Sequence, residues 1–280
     1  MAHFTMPSHV ITGKDAINEA SVYLKEYGNR ALVVTGPHIA KSPMVKSLKE
    51  ALEKMNIAYF VFDKITGEPT DKMIMEGAKA YKDSRSRFVI GIGGGSPIDA
   101  AKAIAFMQVA ERAICDYAGR EIDENIPPIV AIPTTAGTGS EATRFTVITD
   151  TERDVKMLLS GSSLIPELAV INYEYTLDMP KSVTASTGLD ALTHAIEAYT
   201  SKKAMPLTDV YARSAVKRIM KYLPKAYKNG NDGAAREQTA VLKEVGVRLV
   251  PRLASLRCPQ DIADSRDILN FGHEFYGLMP

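Results

Sequence analysis

Cysteine is scarce. Cys115 and Cys258 are the two in 280 residues, and they form no close-spaced metal or redox motif. A disulfide scaffold is excluded, and a reducing cytoplasm is the expected setting. Excess charge is missing too. Lys plus Arg number 34 and Asp plus Glu 33, a net +1, which exerts no general pull on nucleic acid or anionic lipid. No nucleic-acid or membrane partner is expected. Apolar runs fall far short of the ~20 residues that span a bilayer, and Met1 to Pro7 lacks a basic-then-apolar signal pattern. What is there is a globular composition, 45% hydrophobic and 24% charged, so apolar burial can offset chain entropy. At this length one core commonly divides into two.

The first half alternates short β-branched runs with amphipathic stretches. Strands are predicted at 31–35, 58–62, 88–92 and 129–132, and helices at 44–55, 71–81 and 97–107. That alternation predicts an α/β domain, a parallel sheet with helices on both faces. From about Pro180 to Tyr227 the period is helical, and no strand is evident. The expected organisation is an α/β nucleotide-binding domain over 1–179, then an all-helical domain, shortened, over 180–280.

Three motifs carry chemistry. Gly93-Gly94-Gly95-Ser96-Pro97-Ile98-Asp99 joins the third predicted strand to a helix. Glycines allow close backbone approach, Ser96 suits a cap and Pro97 the first turn. The helix N-terminus offers N–H groups to a phosphate; the plain alternative is a strand-to-helix turn. The second motif, Thr134 to Glu141, follows the fourth strand with four hydroxyls and two glycines in eight residues. It can wrap a polar ligand or be a solvated turn. Both loops would meet at the sheet's carboxyl edge, where open α/β folds bind ligands. The third is Asp190 and His194, four apart on one helical face. They can share a divalent metal, or form a surface hydrogen bond. Glu197 lies near that face, and Lys156 could pair with a ligand phosphate or be a solvated turn lysine. His3, His9 and His38 have no partner spacing and read as structural or exposed.

With these motifs in order, the chain resembles the iron-containing (group III) alcohol dehydrogenases, nearest their 1,3-propanediol and butanol branch. The matching stretches are Gly93 to Lys102, Ile132 to Glu141 and Thr184 to Tyr199, within a likeness over about 4–239. The resemblance implies a dimeric, cytoplasmic NAD- or NADP-linked enzyme interconverting a small primary alcohol or diol with its aldehyde. Its active site would lie in the cleft between an α/β and a helical domain. It implies that Gly94, Gly95, Ser96 and Asp99 meet the cofactor's diphosphate and nicotinamide side. Thr134, Thr135 and Thr138 would follow the cofactor, with Lys156 near its ribose. Asp190 and His194 would be the first two ligands of Fe2+ or Zn2+, a Lewis acid for the substrate oxygen.

Three departures bear on this. Gly36 stands where many relatives carry an Asp that repels a 2′-phosphate, so NADP is as open as NAD. Glu68-Pro69-Thr70 replaces the usual Asn-Pro, an added negative charge that argues the other way. After Gln238-Thr239 the likeness fades. The tail holds one histidine, His273, with Gly277 where a second would stand four later. The snippet around it looks like the metal segment of dehydroquinate synthases. A truncated, frame-shifted or spliced product would explain the tail. The metal site is therefore expected to be incomplete, with His273 as the third candidate ligand. A non-catalytic nucleotide-binding remnant and a dehydroquinate-synthase-like lyase are the alternatives.

Overall fold

The computed structural model describes residues 4–241. Eight strands lie among them: β1 (His9–Thr12), β2 (Arg30–Val34), β3 (Ala58–Phe62), β4 (Phe88–Gly93), β5 (Ile129–Pro133), β6 (Phe145–Asp150), β7 (Val155–Ser160) and β8 (Leu168–Ile171). The α-helices are α1 (Ala16–Glu19), α2 (Ser21–Tyr27), α3 (Pro43–Lys54), α4 (Asp71–Asp83), α5 (Gly95–Phe106), α6 (Lys181–Thr200), α7 (Pro206–Lys228) and α8 (Gly233–Val241). Six strands form one parallel sheet in the order β1-β8-β5-β4-β2-β3. The four strands and three helices expected from the sequence are all present, with ends shifted by a residue or two.

Strand alternation sorts the core onto both faces. On β2, Leu32 and Val34 pack with Ile74 of α4 and Ile104 of α5. Ala31 and Val33 point the other way, to Leu24, Leu48 and Leu52 of α2 and α3. Two helices start where hydroxyl caps dictate. Ser42 accepts from the Val45 amide before α3, and Thr70 from the Met73 amide before α4. No described helix is long and apolar enough to cross a membrane.

Four strands were not evident from the sequence. β1 and β8 have four residues each and pair with one another at one side of the sheet, too short for a period to register. β6 and β7 form a separate antiparallel hairpin. Its buried side includes Thr146 and Asp150, which blur the apolar alternation. The hairpin lies across the starts of two helices. The Thr149 amide donates to the Pro69 carbonyl at 2.8 Å, and the Thr151 amide to Asp71 Oδ1 at 3.1 Å. The Val147 amide donates to Asp99 Oδ2 at 3.2 Å.

From Lys181 on, the described residues hold helices and no named strand. α6 and α7 pack closely enough that a Cβ at Gly188 would lie 2.3 Å from Leu223 Cδ1. The fully buried Arg236 of α8 holds the start of α6, donating to Thr184 Oγ1 at 2.9 Å and to the Met179 carbonyl at 3.4 Å. Burial pushes its pKa below the usual guanidinium range.

Candidate functional site

The chain leaves β2 for β3 on one side and leaves β4 for β5 on the other. Neighbouring connections that part in this way open a crevice at the carboxyl ends of β2 and β4. Thr35 sits at its base, buried, with Oγ1 donating to the Ile92 carbonyl at 2.8 Å. Thr35 carries no local signal beyond its place at a strand end.

The glycine motif borders this crevice. Gly93 adopts φ +147°, a conformation that side chains disfavour, and a Cβ there would meet Pro97 Cγ at 2.7 Å. The helix begins earlier than expected. α5 starts at Gly95, with Gly94 as the cap residue and no side-chain cap; Ser96 lies within the first turn and is not the cap. Pro97 has no N–H and falls in that turn as foreseen. Unlike α3 and α4, α5 therefore opens with its first amides unclaimed by a side-chain cap. Gly91, on β4, lets α5 come close, since a Cβ would lie 2.9 Å from Ala101 Cβ.

The hydroxyl loop folds over this helix start. The Thr134 amide donates to the Gly93 carbonyl at 2.8 Å. Cβ atoms built on Gly94 and Gly95 would lie 3.5 Å from Thr135 Cγ2 and 2.8 Å from Thr138 Cγ2. Gly94, Gly95, Thr134, Thr135 and Thr138 thus form one cluster, from stretches forty residues apart in the chain. Thr134 is buried, while Thr135 and Thr138 keep part of their surface exposed. Asp99 stands one turn further along α5, where its carboxylate and carbonyl hold the hairpin at Val147 and Thr146.

The same loop touches α6. A Cβ on Gly137 would lie 2.5 Å from Thr187 Cβ and 2.8 Å from its carbonyl oxygen. Thr187, Asp190 and His194 recur at helical spacing, so this contact turns the Asp190–His194 face toward the loop. His194 Nε2 lies 3.6 Å from Asp190 Oδ1; the histidine is buried and the aspartate half-exposed. Glu197 is exposed. No three His, Cys, Asp or Glu side chains converge to hold a metal among the described residues, and His273 lies outside them. Thr187 was missed in the sequence, where a threonine inside a helix carries no distinguishing signal.

Lys156 is on the exposed hairpin strand β7, paired with Glu68 Oε1 at 2.7 Å. Both side chains of this ion pair are exposed. Glu68 lies three residues beyond Ile65, whose carbonyl would sit 2.8 Å from a Cβ at Gly36. Gly36 thus lacks a carboxylate and also stands at a close backbone approach. His9 stacks on Tyr23 at 3.9 Å, and His38 is exposed.

Comparison with known proteins adds the lineage. Residues 7–173 match the family described as "Iron-containing alcohol dehydrogenase", and 184–245 match "Fe-containing alcohol dehydrogenase family, C-terminal". The NAD-dependent methanol dehydrogenase of Bacillus methanolicus is 38% identical over 242 residues, 86% of this chain and 64% of that protein. The crystal structure of a 1,3-propanediol oxidoreductase superposes with a TM-score of 0.86 at 33% identity, covering 89% of this chain and 65% of that one. An iron-containing alcohol dehydrogenase structure gives 0.83 at 34% identity, covering 91% and 70%. The chain therefore spans less than two thirds of the methanol dehydrogenase's length.

Proposed function

The chain belongs to the iron-containing alcohol dehydrogenase family, and from that premise we propose that it carries the NAD(P)-binding half, and the first metal ligands, of an enzyme that interconverts a small primary alcohol or diol with its aldehyde. One observation carries this reading. The hydroxyl loop rests on the α5 glycines through Thr135 and Thr138 and on α6 through Gly137, so one segment borders both the phosphate cradle and the Asp190–His194 face.

The cradle suits a dinucleotide. The amides at the start of α5, where the cap residue supplies no side-chain cap, and the positive end of its dipole would receive the diphosphate. Gly94 and Gly95 admit close backbone approach there, Ser96 and the loop threonines add hydroxyl partners, and Asp99 keeps the wall in place through the hairpin. Lys156 would meet the ribose, and its ion pair with Glu68 would tune the choice between NAD and NADP. A carboxylate and an imidazole on one helical face suit Fe2+ or Zn2+. Asp190 and His194 would hold the ion, with His273, which lies outside the described residues, as the third candidate ligand. When bound, the nicotinamide exchanges the hydride and the divalent ion acts as a Lewis acid toward the alcohol oxygen. The protein's own part is to keep the two sites facing each other across the hydroxyl loop.

The same reading takes 1–179 as the nucleotide-binding domain and 180–280 as a shortened helical metal-binding domain, in a cytoplasmic homodimer. The change from sheet to helices at Lys181 supports the division. Nucleotide binding without turnover is a second reading, favoured by the two-residue metal set among the described residues.

Fluorescence titration with NADH and NADPH tests the cofactor assignment. Gly94→Val is the informative variant, because the first carbon has ordinary room beside Thr135 while the branches reach into the approach to the amides. Loss of binding in the variant is expected, and equal affinity in both proteins refutes the cradle. Metal analysis of wild type and Asp190→Ala, with NAD(P) reduction on 1-butanol and 1,3-propanediol, separates the two readings. For the 280-residue chain alone we expect turnover well below ~1 s⁻¹. Stoichiometric metal, lost in Asp190→Ala, with turnover at or above that rate would reject the binding-only reading.

A further inference from the structure

Lys102 lies in the second turn of α5 and has no exposed surface. A buried ammonium is costly unless its protons are matched by acceptors. Here Nζ donates to the Thr143 carbonyl at 2.6 Å, to Thr143 Oγ1 at 2.8 Å and to the Phe145 carbonyl at 2.9 Å. These three oxygens belong to the two residues flanking Arg144. Thr143 is itself buried.

The placement of those oxygens gives the contact its meaning. The hydroxyl loop leaves β5 at Thr134, where its amide is tied to the Gly93 carbonyl. It ends at Thr143, where Lys102 holds it. Both anchors belong to the β4–α5 unit that forms the phosphate cradle. Between them, Thr135 and Thr138 press on Gly94 and Gly95, and Gly137 presses on Thr187 of α6. Asp99, one turn before Lys102, fixes the chain again at Thr146 and Val147. A loop so rich in glycine and small polar residues has little apolar surface with which to hold its own shape.

We propose that Lys102 is a positioning residue, whose ammonium clamps the exit of the hydroxyl loop and so sets the loop against both the cofactor cradle and the α6 metal face. Its action on cofactor affinity rests on the cofactor reading above; its action on the loop does not. Lys102→Met keeps the apolar stem and removes the ammonium. Thr143→Val removes one acceptor while nearly preserving shape, and Thr143→Ser keeps that acceptor.

Hydrogen exchange and NADH fluorescence titration on the full chain test the proposal. In Lys102→Met, amides of 134–143 should exchange about tenfold faster, with β2 and β3 unchanged, and the NADH Kd should rise about tenfold. Thr143→Val should move both in the same direction by about threefold, and Thr143→Ser should restore wild-type values. If Lys102→Met fails to fold, the valine–serine pair carries the test. Unchanged loop exchange, a uniform rise over the whole chain, or a serine variant that behaves like valine would overturn the clamp. Wild-type protein that fails to bind NADH, with the loop exchanging as expected, would overturn the cofactor reading and leave the clamp standing.

Discussion

Gly137→Ala puts one carbon at the junction between the hydroxyl loop and α6. The new Cβ would lie 2.5 Å from Thr187 Cβ and 2.8 Å from both its Cα and its carbonyl oxygen. Carbon atoms prefer roughly 3.5–4.0 Å, so loop and helix must part by about 1 Å. Two of the three obstructing atoms are helix backbone, and a rotamer change cannot move them away. Overpacking of this kind costs about 1–3 kcal/mol. A second effect opposes it, because alanine narrows the unfolded ensemble by about 0.4–1 kcal/mol. The control is Gly67→Ala, at an exposed glycine with nothing within 4 Å of its Cβ. It should show the unfolded-state gain alone. The difference between the two variants isolates the strain. At about 2–4 °C per kcal/mol for a chain of this size, Gly137→Ala should melt about 2–12 °C below Gly67→Ala in scanning calorimetry. NADH affinity should fall in Gly137→Ala only. Equal melting temperatures would refute the packing of the loop on α6, and with it the argument that this contact orients Asp190 and His194.

Three further outcomes follow from the same geometry. Asp150 is buried and accepts from the Arg153 amide and guanidinium, which lowers its pKa to about 2. Its contribution is present above the ordinary carboxylate range and is lost as pH falls through about 2, so Asp150→Asn should lower the melting temperature at pH 7 and barely at pH 2; an equal drop at both would contradict the ion pair. Burial raises Tyr81 to about 12, so its stabilising share holds below the ordinary tyrosine pKa and is lost as pH rises through about 12; Tyr81→Phe should flatten the alkaline fall in stability, and an unchanged slope would assign that fall to other groups. Gly36→Asp and Gly36→Ala share the steric push on the Ile65 carbonyl, so their difference isolates the carboxylate. The Asp variant should prefer NADH over NADPH about fivefold more than the Ala variant does, from roughly 1 kcal/mol of like-charge repulsion, and equal preferences would place the 2′ group elsewhere.

Most of the sheet was legible in the sequence because its central strands are buried on both faces and read as continuous apolar runs. β2, β4 and β5 stand where those runs predict, with the glycine and hydroxyl motifs at the ends of β4 and β5, and the part-exposed edge strand β3 shows as the apolar run Ala58 to Phe62. The Asp190–His194 pair was legible because helical spacing alone places two side chains on one face. Local pattern could not reach the four-residue strands β1 and β8, which exist through pairing of β8 with both β1 and β5. Nor could it reach the hairpin, whose buried side accepts Thr146 and Asp150 because backbone and arginine partners satisfy them. The start of α5 at Gly95 in place of Pro97 was not legible because Gly94, the cap residue, has no side chain to mark it. Lys102 carries no distinguishing local signal. Its acceptors lie 41 and 43 residues away in sequence, and only the fold brings them to its ammonium. Gly36 read as a missing carboxylate and proved also to be a close approach to the Ile65 backbone. Sequence pattern is set by neighbours along the chain and so determines element type and the faces that carry chemistry. Which of those faces meet depends on contacts between distant residues, and that was decided by the packed structure alone.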